Sequence, residues 1–492
     1  MATNGNPNLR PLRVFFIPYF ATGHMIPMVD IARLFATRGV DSTILVTPAN
    51  ATLISPTIDA ASAAGLPIRT LLYPFPSSAV NLPPGAENLA SVPLSDAPKI
   101  DAASLLTVND HDRLLRLHRP DAVVSDTHFF WTTSIARDLH IPRISFHAIG
   151  LFPVCVMSSL FRHLPHLTVS DDLHPFLVPD LPHPIHMLRS ELPDFLRSNN
   201  TPIAEAMSAL SDAESGSLGV VVNSFAELES AYADYYYKHD KMTTWFVGPV
   251  AQVTGNVSRG AAENPRAISN RERCMEWLEK QRERSVVYAC FGSWCHFSSE
   301  QLREMALGLE MAGHPFLWVV REGDGEEEWM PEGFEERVKE KGLVVIGWAP
   351  QVEVLRHRAV GGFVTHCGWN SVLEGVSSGL PMVTWPLSTE QFINEKLVVE
   401  VVGTAVRAWE GRRSTEEGEK EVVKSGDLAV AVEKVMGAGK EAEKRREKAR
   451  EVGEMAKKAV DVGGSSYEGL SRLIQDIRDF DGGINGCDRV SI

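Results

Sequence analysis

Along the first half of the chain, short runs of β-branched and apolar residues alternate with longer stretches whose apolar positions recur every three or four residues. The first pattern predicts buried strands, and the second predicts helices that cover them. Strands are expected at Arg13–Pro18, Ser42–Thr47, Ala122–Ser125, Arg143–His147 and Gly219–Asn223. After the first of these, Met25–Thr37 sets Ile26, Val29, Ile31, Ala32, Leu34 and Phe35 around polar Asp30 and Arg33, and Gly39 supplies a stop. A second series runs through Ser285–Phe291, Pro315–Val320, Leu343–Gly347, Gly361–Thr365 and Leu380–Trp385. The stretch from Gly248 to Asn270, rich in Gly, Asn, Ser and Pro, separates the two series and reads as a linker. The pattern predicts an α/β protein with two Rossmann-like domains. Residues 1–250 form the first, 251–270 the linker and 271–462 the second, with a ligand cleft between them at the C-terminal ends of the strands. Arg321–Arg337 reads as a solvated loop, Glu410–Lys424 as a charged, peripheral connection before another helix, and Gly437–Lys458 as a helix with a solvated face.

Composition narrows the class of function. With 492 residues, 44% of them hydrophobic and 23% charged, the chain is an ordinary globular protein. Lys+Arg 48 against Asp+Glu 63 gives a net charge of −15, which disfavours nucleic acid and anionic membranes as partners. It leaves an anionic small molecule open, because oriented backbone N–H groups bind phosphate inside acidic proteins. Six scattered cysteines without a C-x-x-C pair indicate a reduced compartment and no zinc ribbon, so the sequons at Asn50, Asn199 and Asn256 read as chance matches. Met1 to Pro11 lacks the basic-then-apolar order of a leader, and no apolar run approaches a membrane span. A cytoplasmic protein is the expectation.

Three common motifs are missing: G-x-G-x-x-G after a strand, a complete P-loop and the G-x-S-x-G elbow. The informative segment is Trp348 to Gln391, 44 residues long, which carries Trp-Ala-Pro-Gln, the strand Gly361–Thr365, then His366-Cys367-Gly368-Trp369-Asn370-Ser371, Glu374 and Glu390-Gln391. These are the parts of a nucleotide site. Gly368 permits close approach, and Asn370 and Ser371 open a helix whose free N–H groups favour a phosphate. His366 adds a donor, Trp348 offers a flat face to a base, and Glu374 can accept ribose hydroxyl protons. Glu390 and Gln391 supply the donors and acceptors that a sugar requires.

This segment resembles the signature box of the plant family-1 UDP-sugar-dependent glycosyltransferases, and the N-terminal PYFATGHMIPM and VVSDTHFFWTTSIA segments are also similar to that family. The resemblance implies the GT-B fold, with the donor on the second domain, the acceptor mainly on the first, and residues 463–492 packing back on the first. It implies that Trp348 stacks on uracil, Ala349 binds its edge, and Gln351 and Glu374 hold the ribose. His366, Asn370, Ser371 and Ser293 would contact the diphosphate, while Trp369, Glu390 and Gln391 would read the sugar. Gln at position 391 leans toward UDP-glucose.

A hydroxyl acceptor needs a base. His24, beside Gly23 in the loop after the first strand, faces the expected cleft, and its near-neutral pKa suits the task. Asp126, at the end of another strand, can fix the imidazole tautomer. Alone, His24 reads as a loop or packing residue and Asp126 as a helix cap; the resemblance pairs them as the catalytic dyad. It implies an inverting, metal-independent transfer without a cofactor, by a monomer, to a small lipophilic plant metabolite of the flavonoid, coumarin, sterol or triterpenoid class. The alternatives are a nucleotide-sugar-binding regulatory protein without turnover and, less supported, an NAD-dependent reductase. The acceptor loops are expected between Tyr73 and Lys99, and Phe129, Phe130, Trp131 and Phe152 are either pocket or core.

Overall fold

The run Arg13–Ile17 has one partly exposed residue followed by four buried ones, as a strand covered on both faces requires. In the computed structural model, which describes residues 10–197, 201–253, 265–292, 295–321 and 329–481, such runs build two parallel sheets. The first nine strands are β1 (Arg13–Ile17), β2 (Asp41–Val46), β3 (Ile68–Leu72), β4 (Ala122–Asp126), β5 (Arg143–His147), β6 (Phe176–Val178), β7 (Ile185–Met187), β8 (Gly219–Val222) and β9 (Thr244–Phe246). The next six are β10 (Val286–Cys290), β11 (Phe316–Val320), β12 (Gly342–Ile346), β13 (Val360–Thr365), β14 (Met382–Thr384) and β15 (Ala405–Arg407). Every expected strand is present with its ends shifted by at most two residues, whereas β3, β6, β7, β9 and β15 were not anticipated.

The seven-stranded sheet has the order β3-β2-β1-β4-β5-β8-β9 and the six-stranded sheet β12-β11-β10-β13-β14-β15, while β6 and β7 form a small antiparallel hairpin. In each large sheet the chain builds outward to one side and then returns to the other side of its first strand. That reversal leaves a crevice at the C-terminal ends of β1 and β4 and another at those of β10 and β13, where ligands bind in open α/β sheets.

The helix after β1 is Thr22–Thr37, three residues longer at its start than the expected Met25–Thr37, so His24 sits in its first turn and not in a loop. The next turn contains Pro27. Lacking an N–H, Pro27 gives nothing to the carbonyl four residues back, that of Gly23.

The seam between the two sheets is apolar: Leu151, Phe152 and Tyr232 share one buried cluster with Cys367, Trp369, Phe392 and Ile393. Glu410–Lys424 is not peripheral, since Arg413, Ser414 and Thr415 are buried against the first unit. The Arg413 Nε donates to Glu191 at 2.8 Å, its guanidinium also pairs with Glu395, and the Thr415 N–H donates to the Ser190 carbonyl at 2.9 Å. The helix Pro265–Glu279 begins inside the stretch read as linker. Lys440–Val460 is helical with a buried stripe of Ala442, Ala449, Val452, Gly453, Ala456 and Ala459, so it packs one face and leaves the expected charged face to solvent.

The last described helix, Ser465–Arg478, places Leu470, Leu473, Ile474 and Ile477 in the core of the first sheet beside Val14, Phe16 and Val124. Trp245 Nε1 donates to Asp476 at 2.9 Å, and the Arg38 guanidinium lies 3.8 Å above the Tyr467 ring. Among the described residues Cys155, Cys274, Cys290, Cys295 and Cys367 form no disulfide, and no helix is long and apolar enough to cross a membrane. Asn50 is buried and bonded to Thr47 and Glu87, while Asn199, Asn256 and Cys487 lie outside the described residues.

Candidate active site

Asp126 is the last residue of β4, fully buried, and its Oδ2 lies 2.8 Å from the Nδ1 of His24. Strand and helix flank the first crevice, so the pair meets where the topology predicts a ligand. A second histidine, His128, shares the carboxylate: its Nδ1 lies 2.7 Å from Oδ1, and its backbone N–H donates to the same oxygen at 3.1 Å. Burial raises the pKa of Asp126, but the two imidazoles outweigh it and hold the carboxyl well below the usual range. Desolvation lowers the pKa of His128, and the hydrogen bond and charge of Asp126, helped by Asp101, raise it above its ordinary value. Tyr19 stacks on His128 with centroids 4.1 Å apart, and its hydroxyl donates to Asp101. Ligand atoms of His24, Asp126 and His128 lie within 4.8 Å of one another, close enough for a metal. Each imidazole spends Nδ1 on a different carboxylate oxygen, so hydrogen bonds already fill the cluster.

The second crevice faces the first. Cys367 has φ 64° and turns the chain after β13, and the helix Trp369–Ser377 then starts at Gly368 with no side-chain cap. Its first N–H groups therefore have no partner within the helix and carry the positive end of the dipole. His366 packs between two glycines: a Cβ on Gly292 would come within 2.8 Å of its ring and one on Gly368 within 2.4 Å. Burial lowers the His366 pKa to about 4, and its buried Nδ1 has no hydrogen-bond partner. A neutral imidazole with an unsatisfied nitrogen beside an uncapped helix terminus fits a phosphate.

Around this centre the other expected residues divide. Gln351 Nε2 donates to Glu374 at 2.8 Å and to the Ser371 hydroxyl at 3.1 Å, bringing three of them together. Trp348 is half-buried and Ala349 buried, on a loop whose Ile346 and Trp348 carbonyls both accept from Asn270. Gln391 is buried, and its carbonyl accepts from the N–H groups of Leu387 and Ser388, which leaves its amine to offer. Glu390 accepts from Asn394 at 3.1 Å. Thr389 just before it has φ 52°, a strained conformation for a β-branched residue. Ser293 lies outside the described residues.

Two expectations change. The Trp369 indole is turned into the seam: it is 2% exposed, its Nε1 donates to the Asn223 carbonyl at 2.9 Å, and its ring occupies the space a Cβ on Gly150 would need, 2.6 Å away. The side-chain amide of Asn370 crosses the seam and donates to the Gly23 carbonyl at 2.8 Å, the group that Pro27 leaves open. That bond ties the terminus of the second crevice to the helix that carries His24.

Of the aromatic set, Phe130 stays half-buried and the other three lie in the core. Phe129, Trp131 and Phe152 are buried, the first two packed with Tyr73, Phe75, Leu82 and Val92 from the 73–99 stretch.

The model of the family described as UDP-glucoronosyl and UDP-glucosyl transferase matches residues 256–439. Scopoletin glucosyltransferase of Nicotiana tabacum is 43% identical, covering 95% of this chain and 98% of its own. The chain belongs to the plant UDP-dependent glycosyltransferases. Similar also are UDP-glucose flavonoid 3-O-glucosyltransferase 7 of Fragaria ananassa, 40% identical over 95% of this chain and 96% of its own, and a solved structure. That structure, Glycyrrhiza uralensis UGT73P12 complexed with glycyrrhetinic acid 3-O-monoglucuronide, matches with TM-score 0.88 and 37% identity, covering 96% of each chain. This glycosyltransferase accordingly has the GT-B architecture. Sequence reasoning missed three residues of its site: His128, Asn270 and Asn394. His128 had a readable signal, since a residue two positions after an aspartate at a strand end is placed to bond that carboxylate.

Proposed function

We propose that the enzyme transfers glucose from UDP-glucose to a hydroxyl of a small lipophilic metabolite of the flavonoid, coumarin, sterol or triterpenoid class, with inversion. The observation that carries this reading is the 2.8 Å His24–Asp126 pair, whose histidine sits on a helix bonded to the phosphate-side terminus through Asn370. Nε2 of His24 takes the acceptor's hydroxyl proton as that oxygen attacks the anomeric carbon, and Asp126 stabilises the imidazolium that forms. The bond from that carbon to the UDP oxygen breaks, and its electron pair leaves with the diphosphate. The helix terminus at Trp369 and the His366 imidazole meet the developing charge without a metal. Gln351 and Glu374 hold the ribose, Trp348 and Ala349 the uracil, Ser371 the diphosphate, and Glu390 and Gln391 the sugar. Residues 1–250 form the acceptor domain and 271–462 the donor domain of a cytoplasmic monomer. The relatives named for scopoletin and for a flavonoid support the coumarin and flavonoid members of that range.

The test is product mass spectrometry with UDP-glucose, UDP-galactose or UDP-glucuronate against a panel of these acceptor classes. A hexose mass gain with UDP-glucose, lost in His24→Ala while UDP affinity by calorimetry is retained, is the expected result. Product from His24→Ala at the native rate would overturn the base assignment.

A further inference from the structure

Asp126 has one charge and two imidazoles asking for it. His24 holds Oδ2 at 2.8 Å and His128 holds Oδ1 at 2.7 Å, so the carboxylate cannot turn without breaking one bond or the other. The His128 ring is fixed by the Tyr19 stack, and the two imidazole centroids lie 5.2 Å apart. Unlike Asp126, which has no exposed surface, the His128 side chain is 43% exposed, so it exchanges protons with water. Building on the dyad reading above, we propose that His128 is a positioning residue for the transfer: neutral, it locks the Asp126 carboxylate for His24; protonated, it takes up the charge that a protonating His24 needs. Transfer then requires both imidazoles to start unprotonated.

The surroundings of His128 leave it as the group that titrates against this carboxylate alongside His24. Among the described residues, the end of β1 brings Tyr19, and the helix Ala97–Leu105 brings Asp101, which Tyr19 contacts, and Lys99, which pairs with Asp96. From β5 come Arg143, spent on the hydroxyls of Ser125, Thr132 and Ser217, and His147, paired with Glu214 of the helix Thr201–Ser215. Asp126 and Asp101 both favour the protonated form of His128. Once that proton is on, a second positive charge on His24 faces a like charge across a carboxylate already neutralised.

The experiment is the pH dependence of kcat/KM for the native enzyme and His128→Asn, each scaled to its own alkaline plateau. Asparagine keeps a donor toward Asp126 but cannot titrate. Two ionisations on the acid limb of the native enzyme and one in His128→Asn are expected. In His128→Phe, which has neither donor nor charge, kcat falls at least tenfold at every pH while KM for the UDP-sugar holds, with UDP calorimetry confirming the fold. Coincident single-ionisation limbs in the native enzyme and His128→Asn would overturn the inference. Transfer retained by His24→Ala would instead overturn the dyad reading, which separates the two failures.

Discussion

A carboxylate with no exposed surface stays ionised only through what touches it, and for Asp126 that is the pair of imidazoles with the His128 backbone N–H and the Thr127 hydroxyl beside them. Asp126→Asn keeps the shape and removes the charge, so kcat falls by about 10²–10⁴ with UDP affinity unchanged, read by steady-state kinetics and calorimetry. Glu229 is the opposite case. It is buried at the seam, its Oε1 accepts from the Phe152 N–H at 2.6 Å, and burial pushes its pKa up to about 7 against that bond. The folded state therefore holds this proton more tightly than the unfolded chain, and stability falls as pH rises from the ordinary 4.5 to about 7. Glu229→Gln removes that slope. Its melting temperature matches the native protein near pH 5 and exceeds it above pH 7, by an amount equivalent to on the order of 3 kcal/mol. At this scale the sequence was legible where chemistry and position coincide, as at His24 and Asp126. It was opaque at Trp369, because the space that receives the indole is reserved by Gly150, far away in the chain.

The helix Trp369–Ser377 works as an element because nothing caps it and because its flanking turn leaves room for His366. Gly368→Ala puts a methyl group 2.4 Å from the His366 ring, so the ring or the turn must move. UDP affinity is expected to fall by about 1–3 kcal/mol, measured by calorimetry, with a smaller effect on acceptor binding. Central strands such as β1, β4 and β13 were readable as continuous apolar runs buried on both faces. The edge strands β3, β9 and β15 were not, since they have three to five residues and lean on neighbours for their definition. The stripe of small residues in Lys440–Val460 was hidden for a different reason. Alanine and glycine leave no hydrophobic signature, yet Gly453 lets that helix come close to Gly379 and support the phosphate-side helix from behind.

Across the whole molecule, the two halves are joined by an apolar seam with buried charges at one end. Arg413 is 5% exposed between Glu191 and Glu395, and Lys396 lies 3.4 Å from Glu191. Arg413→Met would leave Glu395 and Glu191 short of their shared partner, and a loss of about 3–5 kcal/mol in denaturant unfolding is expected. Removing residues from 465 onward would expose the faces of β9 and its neighbours that Leu470, Leu473 and Ile474 cover, and the expected outcome is a protein recovered only in aggregates. The charged run Glu410–Lys424 concealed its part in the seam because burial of Arg413 depends on two glutamates contributed by other segments.

The Asn370–Gly23 bond has a further consequence for anyone who recombines such enzymes. Pro27 opens the carbonyl and Asn370 fills it, yet the two residues come from opposite halves of the chain. A hybrid that takes its first half from one parent and its second half from another inherits these positions independently. Where one parent lacks the proline or the other the amide, each half of the hybrid will hold its own substrate as before while the reacting atoms meet less often. Compatible parents can therefore be sorted in advance by reading two letters, one from each sequence.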